Sequence, residues 1–335
     1  MLLTALCLMV LAVALAWPVP ILLAAARWPA RSPGLALALW QSIALAGGMS
    51  MIGSLLIFGL IPFGPAPAPA VAGLVEHVSA GTLPAGATLP GVMALCLALI
   101  LGAHLLLNLS ATFIRAERQR RRHHTLIGLL SDPLPDHRDG TRVIDHAAPI
   151  AYCLPGAARS ATVLSKGLLR LLDADQLRGV IAHERAHLRQ QHHLVLLAFK
   201  SWHSALPWFP IANRAENAVA LLVEMLADDQ ARQAVDDQTL ASAIALVGTA
   251  QPDAAAVESP DTFGTEGLTA SGFGDAGFRA PARRRVPGDA PTDLVGPRVR
   301  RLLSAPAPLQ PAAAAAVVVA AQGLLALPTV LLVAT

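Results

Sequence analysis

The sequence carries little charge for its length. Charged residues make up 14% of the 335 residues, whereas hydrophobic residues make up 54%, a balance that is typical of membrane proteins. The net charge of +3 is too small to indicate direct nucleic acid binding. The three cysteines, Cys7, Cys96 and Cys153, form neither a metal-binding nor a disulfide pattern. The sequence therefore argues against a nucleic-acid-binding or disulfide-rich protein, and it predicts contact with a lipid bilayer.

Four long runs without charge predict membrane-spanning helices, because each could cross a hydrocarbon layer ~30 Å thick. They cover residues 1–26, 34–63, 91–114 and 312–334. The first run has an alternative interpretation as a signal peptide, since Ala14-Leu15-Ala16 resembles a cleavage site. No positively charged segment precedes it, however, and the apolar run continues past Ala16. We therefore expect a retained helix that is kinked or broken near Pro18 and Pro20.

The arginines predict how these helices are oriented. Arg27 and Arg31 lie between the first two runs and an arginine cluster occupies residues 115–122, whereas residues 64–90 contain neither Lys nor Arg. Short loops rich in positive charge stay in the cytoplasm. We therefore expect a protein of the cell membrane with 1–63 as its first two helices, 64–90 as an external loop and 91–114 as its third helix. The region 115–311 would be cytoplasmic, and both chain ends would be external.

One short motif points to a metal site. Residues 180–191 read V-I-A-H-E-R-A-H-L-R-Q-Q, which contains the HExxH pattern at His183, Glu184 and His187. On a helix, positions i and i+4 share a face, so both imidazoles can reach one Zn²⁺, with Glu184 beside it as general base. Asp173 and Gln176 have the spacing of a helix N-terminus ahead of the motif. The alternative without a metal site is a polar helix with solvated histidines.

A hydrolytic zinc site needs a third protein ligand. Residues 213–232 contain neither Pro nor Gly and predict a second long helix, on which Glu224 is the favoured ligand. Asp228, one turn further on, could accept the free ring N–H of a ligand histidine and fix its tautomer. Glu216 is the competing ligand, and a solvated acidic face is the alternative for all three. If the zinc helix continues to His192, that side chain faces away from the metal, so we expect it to meet solvent or headgroups.

These residues together resemble the BlaR/MecR family of membrane metallopeptidases. The resemblance rests on the motif at 183–187, on Trp202-His203 with Pro207 and Pro210, and on Glu224-x-x-Ala227-Asp228. The stretch from Ser165 to His187 is also similar to the related HtpX and CAAX-protease family. In these families a strand before the zinc helix forms a sheet edge that pairs with an extended substrate, and Ala161–Leu164 is the candidate here. The fourth run ends close to Thr335, and we therefore expect this chain to lack the external penicillin-binding domain of those receptors.

The remaining segments complete the predicted architecture. Residues 142–144 and 161–164 are short and β-branched, which predicts strands. Residues 251–311 are rich in Gly, Ala, Pro, Asp and Ser, which predicts a flexible linker. The sequence thus predicts a mainly α, multi-pass membrane protein. Its four transmembrane helices carry an inserted HExxH zinc-protease domain at 115–250, with a small β element.

The function implied is that of a zinc metalloendopeptidase of the gluzincin-like HExxH type. His183, His187 and Glu224 would hold Zn²⁺, Glu184 would be the catalytic base, and Asp228 would orient a ligand histidine. The substrate would be a peptide or protein, and the resemblance suggests a cytosolic regulator such as a transcriptional repressor. Two alternatives stay open. One is an HtpX-like protease for membrane-protein quality control, and the other is a non-proteolytic scaffold or receptor with structural zinc.

Overall fold

The described part of the protein is mostly helical with one small sheet, as the sequence predicts. The computed structural model describes residues 1–133, 141–154, 161–206, 210–250, 294–304 and 306–333. Four helical stretches are long and apolar enough to cross a membrane: Leu2–Ala25, Pro33–Phe63, Leu89–Leu129 and Pro311–Val333. They correspond to the four predicted runs.

The N-terminal part of the chain is helical, with α1 (Leu2–Ala16), α2 (Pro18–Ala25), α3 (Pro33–Leu60), α4 (Pro67–Ser79) and α5 (Leu89–Leu130). Trp17 leaves the helical conformation, with φ −127° and ψ −74°, where the sequence predicts a break. Proline at N1 cannot supply an N–H to a preceding turn, and Pro18 therefore starts a new helix. Two features go beyond the predictions: α4 lies within the loop 64–90, and α5 continues without interruption through the arginine cluster.

A four-stranded sheet follows α5. Its strands are β1 (Ser131–Pro133), β2 (Thr141–Ile144), β3 (Ala151–Leu154) and β4 (Ala161–Ser165), in the order β1-β2-β4-β3. The pair β2/β4 is parallel and the other two pairs are antiparallel. Both predicted strands are present as β2 and β4. The expectation that 161–164 forms the edge is wrong, because β4 is hydrogen-bonded on both sides, and the edge strands are β1 and β3.

The second half of the chain is helical again. It consists of α6 (Lys166–Leu171), α7 (Ala174–Arg189), α8 (His192–Ala205), α9 (Pro210–Ala231), α10 (Asp237–Ala250), α11 (Val295–Ser304) and α12 (Pro311–Val333). Helix α11 corrects part of the predicted linker 251–311, of which residues 251–293 lie outside the described residues. Val295, Val299 and Leu302 repeat at helical spacing and pack with Leu240 and Ile244, and this apolar face stabilises the helix.

The chain divides into two compact units. The span unit comprises Met1–Ala111, Phe199–Val219 and Pro308–Thr335, and the site unit comprises Thr112–Ala198 and Ala220–Ala307. In the span unit, α3 packs against α1 and α12. Gly48 of α3 lets Trp202 approach closely, since a Cβ there would lie 2.8 Å from Trp202 Cη2. In the site unit, α7 packs against β3 and α10.

Two polar side chains of α5 bind backbone and hydroxyl groups within the span unit. Asn108 Nδ2 donates to the Ser201 carbonyl at 2.7 Å and to Ser204 Oγ at 2.8 Å. His104 Nε2 donates to the carbonyl of Ala205 at 3.2 Å. These bonds join α5 to the end of α8, so both side chains serve helix packing.

Candidate metal centre

Helix α7 begins where its sequence predicts. Asp173 Oδ1 accepts hydrogen bonds from the backbone N–H groups of Asp175 (3.0 Å) and Gln176 (2.8 Å), while Gln176 Oε1 accepts from the Asp173 N–H at 3.1 Å. This reciprocal capping box supplies acceptors for backbone N–H groups at the start of the helix, which have no carbonyl partner within the helix. It fixes the register of the turns that follow. His183 and His187 are four residues apart and therefore lie on one face of α7, and each is 8% exposed.

The three predicted ligands come together at this face. His183 Nε2 and His187 Nε2 are 3.2 Å apart. Glu224 of α9 completes the group, with Oε2 3.3 Å from His183 Nε2 and Oε1 3.5 Å from His187 Nε2. Ligands held ~2.0–2.1 Å from a tetrahedral Zn²⁺ lie roughly 3.3 Å from one another. The spacing and chemistry of these three side chains therefore fit one zinc ion.

Asp228 contacts the ring nitrogen of His183 that faces away from the other candidate ligands. It is fully buried one turn beyond Glu224, and its Oδ1 is 2.9 Å from His183 Nδ1. The two carboxylates of α9 thus contact opposite nitrogens of one imidazole ring. Burial opposes a charge on His183, but its hydrogen bonds with Asp228 and Glu224 outweigh that effect and raise its pKa to about 9. Binding of a metal ion at this ring would therefore release a proton.

Glu184 lies against the edge strand. Its carboxylate accepts a hydrogen bond from the backbone N–H of Cys153 on β3. Burial raises the pKa of Glu184 to about 7, although the neighbouring His183 pulls in the opposite direction. Burial also raises the pKa of the Cys153 thiol to about 12, so this cysteine stays protonated. A carboxyl group whose pKa lies near neutrality is suited to accept a proton and return it.

Sequence reasoning missed Arg298, which lies in the segment that it assigned to the linker. The guanidinium is bidentate to Asp228, with Nε 2.8 Å from Oδ2 and Nη2 2.6 Å from Oδ1, and its Nη1 lies 2.9 Å from Glu224 Oε2. Burial would raise the pKa values of Glu224 and Asp228, but Arg298 outweighs it and holds both below their usual ranges. The apolar spacing of α11 could have revealed this helix in the sequence. The contact between α11 and α9 joins residues that are far apart in the sequence, so no local pattern could have predicted it.

His192 was placed wrongly from the sequence. Helix α7 ends at Arg189 rather than continuing, and Gln191 takes a left-handed φ of 50°. The chain therefore turns back, and His192 lies 2% exposed with its Nδ1 3.0 Å from His187 Nδ1. Its Nε2 lies 2.7 Å from Gln190 Oε1. The side chain that was expected to face solvent or headgroups thus contacts a candidate ligand.

The competing ligand Glu216 is not part of this group. Its Oε2 lies 4.0 Å from His203 Nδ1, and both residues belong to the span unit. Among the described residues, the one group whose ligand atoms could surround a metal ion consists of His183, His187 and Glu224. The geometry therefore favours Glu224 over Glu216 as the third ligand.

The arrangement of two histidines, a glutamate and a neighbouring acid is that of a metal-dependent hydrolase. Residues 117–247, less than half of the chain, match the family model described as Peptidase family M48. The matched region contains the candidate ligands, Glu184 and Asp228, and it is similar to the M48 metallopeptidases, which are metal-dependent. It does not extend to Arg298. Neither the curated proteins nor the solved structures provide a match to this chain.

Proposed function

We propose that this protein is a membrane-embedded zinc endopeptidase that cleaves a cytosolic regulator. The observation that carries the proposal is the convergence of His183, His187 and Glu224, with Glu184 beside them, inside the region that matches the M48 peptidases. A structural zinc site usually has four protein ligands, whereas a catalytic site has three and an open position. The three-residue group therefore favours a protease over a scaffold with structural zinc.

A zinc ion in this site would lower the pKa of a bound water and polarise the scissile carbonyl. Glu184 accepts the proton of the attacking water and returns it to the nitrogen of the leaving amine. Its pKa near 7 suits both directions of transfer. Asp228 orients His183 through Nδ1, and Arg298 holds Asp228 and Glu224 in place through its forked guanidinium.

The edge strand β3 offers a surface for an extended substrate. The N–H of Cys153 is turned away from β4, because it donates to Glu184. Alternate residues of an antiparallel strand direct their backbone groups to the same side, so Ala151 also presents its backbone groups at the outer edge. A peptide that adds as a further strand would be bound mainly through its main chain. Such binding places a scissile bond beside Glu184 with little demand on side-chain sequence.

The arginine distribution supports a cytoplasmic active site. Residues 64–90 lack Lys and Arg, whereas α5 leads from an apolar span directly into the cluster at 115–122, the pattern of a cytoplasmic flank. A reporter fused after Arg122 should therefore report cytoplasm, and one placed at Gly73 should report the exterior. The reverse result would put the active site out of reach of a cytosolic substrate.

A cytosolic site, together with the resemblance to BlaR/MecR, favours regulated cleavage of a soluble regulator such as a winged-helix repressor. The test is proteomics of membranes and cytosol from cells that carry wild type, Glu184→Gln or the control Glu76→Gln. One soluble regulator should accumulate in the Glu184 variant and fall when wild type is overexpressed. If misfolded membrane proteins accumulate instead, the protein is a quality-control protease. If neither class changes, proteolysis is not its function.

A further inference from the structure

The two candidate ligand histidines present the same ring atom to the metal site and the other to a partner. Each directs Nε2 toward Glu224, at 3.3 Å for His183 and 3.5 Å for His187. For His183 the partner at Nδ1 is the carboxylate of Asp228. For His187 it is the imidazole of His192, with the two Nδ1 atoms 3.0 Å apart. A carboxylate can only accept, but a neutral imidazole can donate or accept, so the direction of this second bond has to be decided.

Gln190 decides it. Its Oε1 is an acceptor and lies 2.7 Å from His192 Nε2, so Nε2 of His192 carries the proton. The neutral ring has one N–H, and His192 Nδ1 is therefore an acceptor. The proton between the two rings then belongs to His187 Nδ1. His187 is left with an unprotonated Nε2, and the lone pair of that atom points toward His183 and Glu224.

We propose that Gln190 and His192 are positioning residues that fix His187 in its metal-binding tautomer. The inference rests on the proposed metal site and adds two residues to it. Partners of this kind orient a ligand imidazole and raise its basicity. An imidazole binds a metal ion through a nitrogen of the neutral ring, which is the state that this hydrogen-bond chain requires of His187.

The backbone is shaped to deliver His192 to this position. Helix α7 stops at Arg189, and the N–H of Gln190 still donates to the Ala186 carbonyl at 3.0 Å. Gln191 then turns left-handed, and the next helix starts at His192 with the Leu194 N–H donating to the Gln191 carbonyl at 2.9 Å. A left-handed non-glycine residue costs about 1 kcal/mol. Strain of this kind persists where the surrounding structure enforces it, often at functional sites.

The test is the zinc dissociation constant of the purified full-length chain, measured by chelator competition. His192→Phe keeps the ring shape without an acceptor and should weaken zinc binding about 10–100-fold. His192→Asn places an amide oxygen near the former Nδ1 and should recover most of the affinity. Gln190→Met should weaken binding by up to about tenfold, whereas Gln190→Glu retains the acceptor and should match wild type. His193→Phe is the matched control and should change nothing.

The tautomers themselves can be read from ¹⁵N shifts of labelled imidazoles. His192 should show a protonated Nε2, and Gln190→Met should allow the other tautomer to appear. Gln190 is exposed, so this variant tests the idea even if His192→Phe fails to fold. Wild-type zinc affinity in both His192→Phe and Gln190→Met, or a protonated Nδ1 on His192, would overturn the proposal. A wild-type chain that binds no zinc would instead refute the proposed function.

Discussion

The two units of the chain pair their polar side chains in different ways. In the span unit, Asn108 and His104 donate to backbone carbonyls and hydroxyls of α8. In the site unit, the ionisable side chains of Glu224, Asp228 and Arg298 are held against one another and against His183. A neutral hydrogen bond within a span serves packing. A cluster of buried charges costs desolvation energy, and such clusters occur where chemistry needs shifted pKa values.

Removing a candidate metal ligand should have the largest effect of any change in the site unit. His183→Ala, His187→Ala and Glu224→Gln should each lose zinc and all peptidase activity, because three ligands are needed to hold a catalytic zinc ion. Chelation of wild type should do the same, with recovery when zinc is added back. The measurement is metal content by atomic emission. Glu216→Gln is the matched control and should keep about one zinc per chain. Loss of zinc in that variant would identify Glu216 as the third ligand in place of Glu224.

Glu184→Gln should separate metal binding from catalysis. The amide cannot take a proton, so peptide hydrolysis should fall about 10²–10⁴-fold while zinc content stays unchanged. The rate is measured on the substrate identified in cells. A variant that retains full activity would exclude the proposed role of Glu184 as the base.

Arg298→Met should be the most damaging change outside the ligands and the base. It leaves Asp228, which is fully buried, without its bidentate partner, and breaking a buried ion pair in this way costs about 3–5 kcal/mol. The free energy of unfolding of the detergent-solubilised protein is the readout. Adding Asp228→Asn should recover part of the loss, because it removes the unpaired charge. Equal stability of wild type and Arg298→Met would mean that the ion pair contributes nothing.

Asn108→Leu tests whether the hydrogen bonds of the span unit serve helix packing alone. It removes the bonds to Ser201 and Ser204, and hydrogen bonds between membrane helices are worth about 1 kcal/mol. We expect a loss of that size in unfolding free energy, with zinc content unchanged. A variant that unfolds normally but loses zinc would show that Asn108 matters to the site as well as to packing.

Gln191→Gly should have the smallest effect. Glycine adopts a left-handed φ without steric strain, and relief of that strain should stabilise the folded chain by about 1 kcal/mol. The greater freedom of glycine in the unfolded chain should destabilise the fold by about 0.5–1 kcal/mol. The free energy of unfolding should therefore change by less than about 0.5 kcal/mol. Gln191→Val should be clearly destabilising in the same assay, because a β-branched residue disfavours this conformation. Equal stability of the Gly and Val variants would contradict the left-handed turn.

Local patterns predicted the features that depend on local physics. The capping box at Asp173 and Gln176, the spacing of His183 and His187, and the four apolar runs all have periodicity or end signals that a sequence displays. Strands β2 and β4 were also evident from their β-branched residues. These elements were predictable because their causes lie within a few neighbouring positions.

The errors have the opposite origin. Nothing in Arg189-Gln190-Gln191 signals a helix end, since the turn contains neither Gly, Pro nor Asn, and tertiary packing decides where α7 stops. The place of β4 in the middle of the sheet depends on pairing with β2 and β3, which no single strand reveals. Arg298 is far from Asp228 in sequence, and their contact is a property of the fold. Long-range contacts of this kind lie beyond pattern reasoning from one sequence.

The position of Arg298 has a practical meaning for dissecting the protein. The family match ends at residue 247, which suggests a natural place to truncate the chain and still keep every candidate ligand. Such a fragment would lack α11, and with it the cation that faces Asp228 and Glu224. Two buried carboxylates would then share one imidazole without a counter-charge. The smallest fragment that keeps the candidate site intact should therefore extend at least to Ser304, well past residue 247, where the family match ends.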